Sequence, residues 1–181
     1  MAQWIFSPVT EFKHFHPNSK KIRVLHTRTT TMSNNYSRAE AIQRLNELLA
    51  EEMEASMRYL HLSTLVQGID RLVIQKVLKE NHEETIEHAE QVSEKIIQIG
   101  GAPSPKINLE LTGEKCTGIE ALQSALLFEQ AALDGYREFL ECVEGSGDVI
   151  LEEFARQQVA IESEHVSELQ MLLGESHLGG E

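Results

Sequence analysis

All four prolines of the chain, Pro8, Pro17, Pro103 and Pro105, fall outside two long tracts, residues 37–100 and 117–173. Proline inside a helix removes a backbone hydrogen bond and collides with the preceding turn, so tracts free of it can carry long helices. Both tracts also open on the same signal. Ser37-Arg-Ala-Glu40 and Thr117-Gly-Ile-Glu120 are capping-box patterns, in which hydroxyl and carboxylate satisfy backbone N–H groups at a helix start. Glycines then cut each tract in two. Helix 1 is predicted over residues 37–67, where Gly68 follows, and helix 2 over residues 70–100, where Gly100-Gly101-Ala-Pro103 stops it. Helix 3 begins at Thr117 and closes at Gly145-Ser-Gly147-Asp148, and helix 4 runs from there to Leu173, with Gly174 as its stop. Each carries an apolar stripe at spacings of three and four, such as Ile42, Leu45, Leu48 and Leu49 in the first and Leu122, Leu126 and Leu133 in the third.

Four amphipathic helices of roughly 40–45 Å at about 1.5 Å per residue cannot bury their stripes singly and should pack together. The connections set the topology. Short turns after helices 1 and 3 make antiparallel hairpins, whereas the linker of about 17 residues between helices 2 and 3 can span the bundle. The expected fold is all-α, an antiparallel four-helix bundle with one long crossover. A length of 181 residues and 41% hydrophobic content suit one such core. Residues 1–36 stand apart: Lys13, Lys20, Lys21, Arg23 and Arg28 oppose only Glu11, without helical periodicity, and this segment is expected to be a basic appendage to the bundle at 37–181. The whole chain nevertheless carries a net charge of −13, which disfavours nucleic acid as a general partner. No tract is apolar enough for a membrane span or a secretory signal, so no membrane partner is expected. Two cysteines, Cys116 and Cys142, match neither a zinc site nor a disulfide scaffold and fit a cytoplasmic location.

Six polar residues interrupt the inward stripes where Leu, Ile or Ala would be ordinary: Glu52, Glu84, His88, Glu129, Glu162 and His165. A buried carboxylate costs several kcal/mol when uncompensated, and facing carboxylates also repel, so a cation should join them. The two halves of the chain repeat this chemistry. Glu52 precedes Tyr59 by seven residues and Glu129 precedes Tyr136 by seven, which places each Glu and its Tyr on one helical face. In Glu162-Ser-Glu-His165 a carboxylate and an imidazole stand on adjacent turns. Oxygen plus imidazole ligation with open positions suits iron or manganese. Tyr59 and Tyr136 read first as core aromatics, Met53 and Met57 as core or flanking residues, and His61 and His82 as solvated, while Asn81 and Gln158 lie at a level where they could support ligands.

Leu48-Leu-Ala-Glu-Glu52…Tyr59, His82-Glu-Glu-Thr-Ile-Glu-His88-Ala-Glu…Gly100-Gly101, Glu129…Tyr136 and Glu162-Ser-Glu-His165 together resemble the ferritin-like superfamily, most closely the bacterioferritins and Dps-like miniferritins, over about Ser37 to Leu173. The resemblance implies a di-iron ferroxidase that oxidises Fe(II) with dioxygen or hydrogen peroxide for iron storage or detoxification. It implies two iron ions per subunit, Glu52 and Glu129 as terminal ligands, Glu162 as a bridging carboxylate, and His88 and His165 as imidazole ligands. These five are the candidate catalytic residues, with Glu84 added as a metal ligand. A rubrerythrin-like peroxide reductase is the alternative, weakened by the absence of a Cys-rich module, and a DNA-protecting miniferritin acting through the basic arm is another.

Departures from the family pattern carry their own expectations. Aligning on His88 puts Thr85 where the second bridging Glu belongs, so Glu84 is expected to substitute for it beside Glu52 and His88, leaving that position the weaker of two. Ile86 stands where bacterioferritins supply a haem-ligating Met, so haem is not expected. Gly174–Glu181 are too few for a fifth helix, which favours a dodecamer over a 24-subunit shell as the homo-oligomer. For residues 1–31 the readings are upstream translation before a start at Met32, a targeting peptide, or a DNA-binding arm.

Overall fold

Helix propagation is limited by its ends, and the caps anticipated from the sequence set the frame. In this computed structural model, which describes residues 37–174, four helices appear: α1 Arg38–Leu65, α2 Arg71–Gln98, α3 Gly118–Val143 and α4 Val149–Leu173. The expectations for the basic segment 1–36 and for residues 175–181 lie outside the described residues. Ser37 Oγ accepts from Glu40 N at 3.1 Å, the first half of a capping box. At α3 the box is complete, with Thr117 and Glu120 exchanging side-chain and backbone bonds. Asp148 caps α4 by accepting from Leu151 N, and Gly174, in the left-handed conformation at φ 73°, ends it. The end of α2 is a Schellman turn: Gly100, at φ 81°, donates to Ile97 O and Gly101 donates to Ile96 O, both at 2.9 Å.

Contacts between helices establish direction. Glu52 meets His88, Ser56 meets His82 and Ser63 meets Gln75, so α1 and α2 run antiparallel. Falling numbers against rising ones recur for α3 and α4, where Glu129 meets His165 and Phe139 meets Phe154. They recur again for α1 and α3 through Glu52–Tyr136 and Tyr59–Glu129. The connection from α2 to α3 climbs the outside of α1, as Asn46, Glu54 and His61 bind the backbones of Ser104, Asn108 and Thr112 in turn. This is the long crossover expected from the sequence.

Two details differ from expectation. Helix 1 was predicted to reach residue 67, but Val66–Gln67 leaves the helix as a two-residue strand, β1, and pairs in parallel with β2, Cys116–Thr117. The parallel bridge ties the end of α1 to the start of α3. Ile107-Asn-Leu-Glu-Leu111, extended-looking in sequence, forms no strand, because Asn108 N finds Glu54 Oε1 at 2.7 Å rather than a neighbouring backbone. At the other end of the bundle, Gly101 packs so closely on Ile42 and Ile96 that an added Cβ would stand 2.9 Å from both side chains.

Two apolar clusters fill the bundle. One gathers Leu45, Leu49, Ile96, Phe139, Val143, Leu151 and Phe154, and the other Val66, Ile74, Leu78, Leu122, Leu126 and Leu169. The polar side chains Glu52, His88, Glu129 and Glu162 are buried between them. No helix of the described residues is long and apolar enough to cross a membrane.

Candidate metal centre

Each helix brings at least one polar group to this middle layer: Glu52 from α1, His88 from α2, Glu129 from α3, and Glu162 with His165 from α4. The three-residue interval in Glu162–His165 puts both on one face of α4, so the carboxylate reaches toward α2 while the imidazole reaches toward α3. His88 Nδ1 stands 3.1 Å from Glu162 Oε1 and 3.7 Å from Glu52 Oε1. His165 Nδ1 stands 3.3 Å from Glu129 Oε2 and 3.5 Å from Glu162 Oε2. The two rings stack, with centroids 5.6 Å apart. Two triads result, Glu52/His88/Glu162 and Glu129/Glu162/His165, each offering ligand atoms within 4.8 Å of one another. Glu162 belongs to both.

Glu162 is 1% exposed, yet neither of its oxygens has a well-directed hydrogen bond. The imidazoles of His88 and His165 lie beside those oxygens as ion-pair partners, so the carboxylate is positioned to be shared between two cations. Oxygen and imidazole donors converging from opposite sides fit a pair of divalent first-row metals.

The protonation balance points the same way. Burial, reinforced by the charge of Glu162, pushes Glu52 up to about 8. Glu129 is raised as well, chiefly by burial. Glu162 is buried too, but the two imidazoles overcome that desolvation and hold it well below the ordinary carboxylate range. His165, desolvated in turn, is nonetheless raised by Glu129 and Glu162. Protons therefore occupy part of the place that metal charge would take.

The tyrosines form a crossed pair. Tyr136 on α3 donates to Glu52 on α1 at 2.6 Å, and Tyr59 on α1 donates to Glu129 on α3. The sequence placed each Tyr on the face of its own helix's Glu and read both first as core aromatics; the structure adds the exchange of partners between α1 and α3. In antiparallel helices, residues seven apart on each strand of the pair meet reciprocally, so equal intervals on α1 and α3 were the signal for this exchange. Asn81 on α2 lies beside the Tyr59 hydroxyl and lowers its pKa, against the rise that burial and Glu129 impose. Gln158, fully buried, donates to Gln91 at 2.9 Å.

Glu84 requires a correction. It was expected beside Glu52 and His88, but its carboxylate stands 3.2 Å from His165 Nε2, half exposed, on the outer side of that ring. The reason is angular: Glu84 precedes His88 by four residues, about 40° around the helix, which aims it at α4 and away from its own histidine. Thr85, buried at the vacant position, spends its hydroxyl on Asn81 O at 2.7 Å. The solvated reading of two histidines also changes. His82 is half-buried and held by Ser56, its Nδ1 2.9 Å from both the hydroxyl and the carbonyl, and His61 is bound to Thr112 O. Met53 and Met57 are exposed flanking residues beside an apolar groove that also includes Leu49 and Ile86.

Comparison with known proteins agrees with this architecture. Residues 42–177 match the family model of the ferritin-like domain. A ferritin-like, diiron-carboxylate protein from Bacillus anthracis superposes with a TM-score of 0.67 at 28% identity, over 75% of this chain and 96% of that one. A dodecameric thioferritin, the bacterioferritin-related protein of Bacteroides fragilis, gives 0.68 at 24% identity, over 77% and 88%. The bacterioferritin of Rhodobacter capsulatus, described with a metal-free dinuclear site and a heme iron, gives 0.66 at 23% identity, over 77% and 86%. No match is found among curated proteins.

Proposed function

This chain belongs to the ferritin-like domain family, and on that premise we propose that it is a ferroxidase whose substrate is a pair of Fe2+ ions. One ion would sit among Glu52, His88 and Glu162, the other among Glu129, His165 and Glu162. The observation that carries this reading is Glu162, a buried carboxylate common to both Glu/His triads, with one imidazole beside each oxygen. Two Fe2+ ions supply two electrons. Dioxygen with two protons would leave as hydrogen peroxide, or hydrogen peroxide with two protons as two waters. The protein's part is to hold the ions together, to exchange protons for metal at Glu52, and to surround the ferric product with carboxylates.

A closed homo-oligomer with an interior store completes the proposal, with twelve copies favoured; the B. fragilis neighbour is described as dodecameric.

The test is an anaerobic Fe2+ titration followed by oxidant, with size analysis. About two irons per chain, rapid oxidation and a hollow particle are expected. No binding near that stoichiometry, or oxidation no faster than in buffer, refutes the ferroxidase reading. A particle smaller than a shell would refute storage alone.

A further inference from the structure

The centre is built as two near-equivalent halves. Glu52 and Tyr136 mirror Glu129 and Tyr59, and His88 mirrors His165. The helices that carry the histidines break the equivalence. Three residues before the histidine stand Thr85 on α2 and Glu162 on α4; four residues before it stand Glu84 on α2 and Ile161 on α4. The first difference leaves a single carboxylate shared between the triads. The second has no counterpart in the ligand set and acts on the outer edge of one ring.

Glu84 Oε1 lies 3.2 Å from His165 Nε2, while His165 Nδ1 faces Glu129 and Glu162. An imidazole that ligates through Nδ1 must carry its proton on Nε2, and a carboxylate there accepts that proton's hydrogen bond, fixes the ring's rotation and makes the inner nitrogen a stronger donor. The corresponding position for His88 holds Ile161, which can do none of this. We infer that Glu84 is a positioning residue for His165, and that it makes the Glu129/Glu162/His165 position the tighter of the two divalent-metal positions. The inference rests on the di-metal reading of the centre. It reverses the role expected from sequence, where Glu84 was to complete the set around His88.

Stepwise Zn2+ titration of the full chain, followed by nitrogen NMR of the histidine rings, tests it without any turnover. In the wild type His165 should show the metal-bound shift at the first equivalent and His88 at the second, with a hydrogen-bonded Nε2–H on His165. Glu84→Ala should weaken the His165 position about tenfold, the lower end of the usual range for such supporting carboxylates, and bring the two rings into near-simultaneous loading. Glu84→Gln keeps an acceptor but not the charge and should fall between. The site is half exposed, so both variants should fold, and metal-free melts verify it. Unchanged order and affinity in Glu84→Ala overturn the inference alone, as does a selective loss at His88. A metal-bound structure in which a Glu84 oxygen contacts the metal directly would make Glu84 a ligand and overturn it too. A wild type in which neither ring takes Zn2+ overturns the di-metal reading and this inference with it.

Discussion

At the scale of the residue, the centre is governed by the cost of burying charge. Glu52 is 4% exposed, and its ordinary value of 4.5 rises to about 8 in the fold. The native chain therefore binds a proton that the unfolded chain has released between those values. Its contribution to stability is complete below about 4.5 and is lost as pH rises toward 8. Metal-free protein should accordingly melt at progressively lower temperature from pH 5 to 8, and Glu52→Gln, which keeps the shape without the ionisation, should reduce that slope, the remainder coming from Glu129, His88 and His165, which are raised as well. A wild-type profile already flat over this range would contradict the assignment. Metal must displace the same proton, so Zn2+ affinity should climb over this interval and calorimetry in buffers of different ionisation heat should detect proton release. The crossed tyrosines make a second prediction. Tyr136→Phe removes the donor to Glu52 and should weaken chiefly the His88 position, whereas Tyr59→Phe should weaken chiefly the His165 position. Each loss is about 1.5–3 kcal/mol, as for a hydrogen bond to a charged group, and stepwise metal titration of the two variants distinguishes them.

At the scale of the element, four helices hold the centre because their ends are pinned independently of it. The complete capping box at Thr117 starts α3 where β2 meets β1, which fixes the axial register of α3 against α1 and hence the exchange of tyrosines. The opposite end depends on Gly101, wedged between Ile42 and Ile96. Both neighbours are β-branched and stiff, so an added methyl cannot be absorbed by rotation of a flexible tip. Gly101→Ala should cost roughly 1–3 kcal/mol through overpacking. It should appear as a lower urea midpoint with an unchanged m value, while Gly113→Ala, where an added Cβ meets nothing within 4 Å, serves as the neutral control.

At the scale of the molecule, metal and fold are one equilibrium. Without metal, Glu162 is held by the imidazoles of His88 and His165 and Glu52 by a proton, so divalent metal that takes over these roles should stabilise the whole bundle cooperatively. Zn2+ at about a hundred times its dissociation constant should add ~2.7 kcal/mol, seen as a higher melting temperature that a chelator returns to its starting value. Glu162→Gln, which removes the shared charge, should abolish most of that increment. Much of this was legible in the amino-acid order. The confinement of proline, the two capping boxes and the polar breaks in apolar stripes determined four helices, one crossover and the level at which Glu52, His88, Glu129, Glu162 and His165 meet, because helix period and capping are local properties of the chain. Which side chain faces which partner is not local. The exchange of Tyr59 and Tyr136 between helices, the turn of Glu84 to the outer edge of His165, and the departure of Val66 and Gln67 from α1 to pair with Cys116 and Thr117 depend on the axial register and rotation of packed helices. Those are settled by contacts between residues up to 84 positions apart, which only the assembled bundle brings within reach.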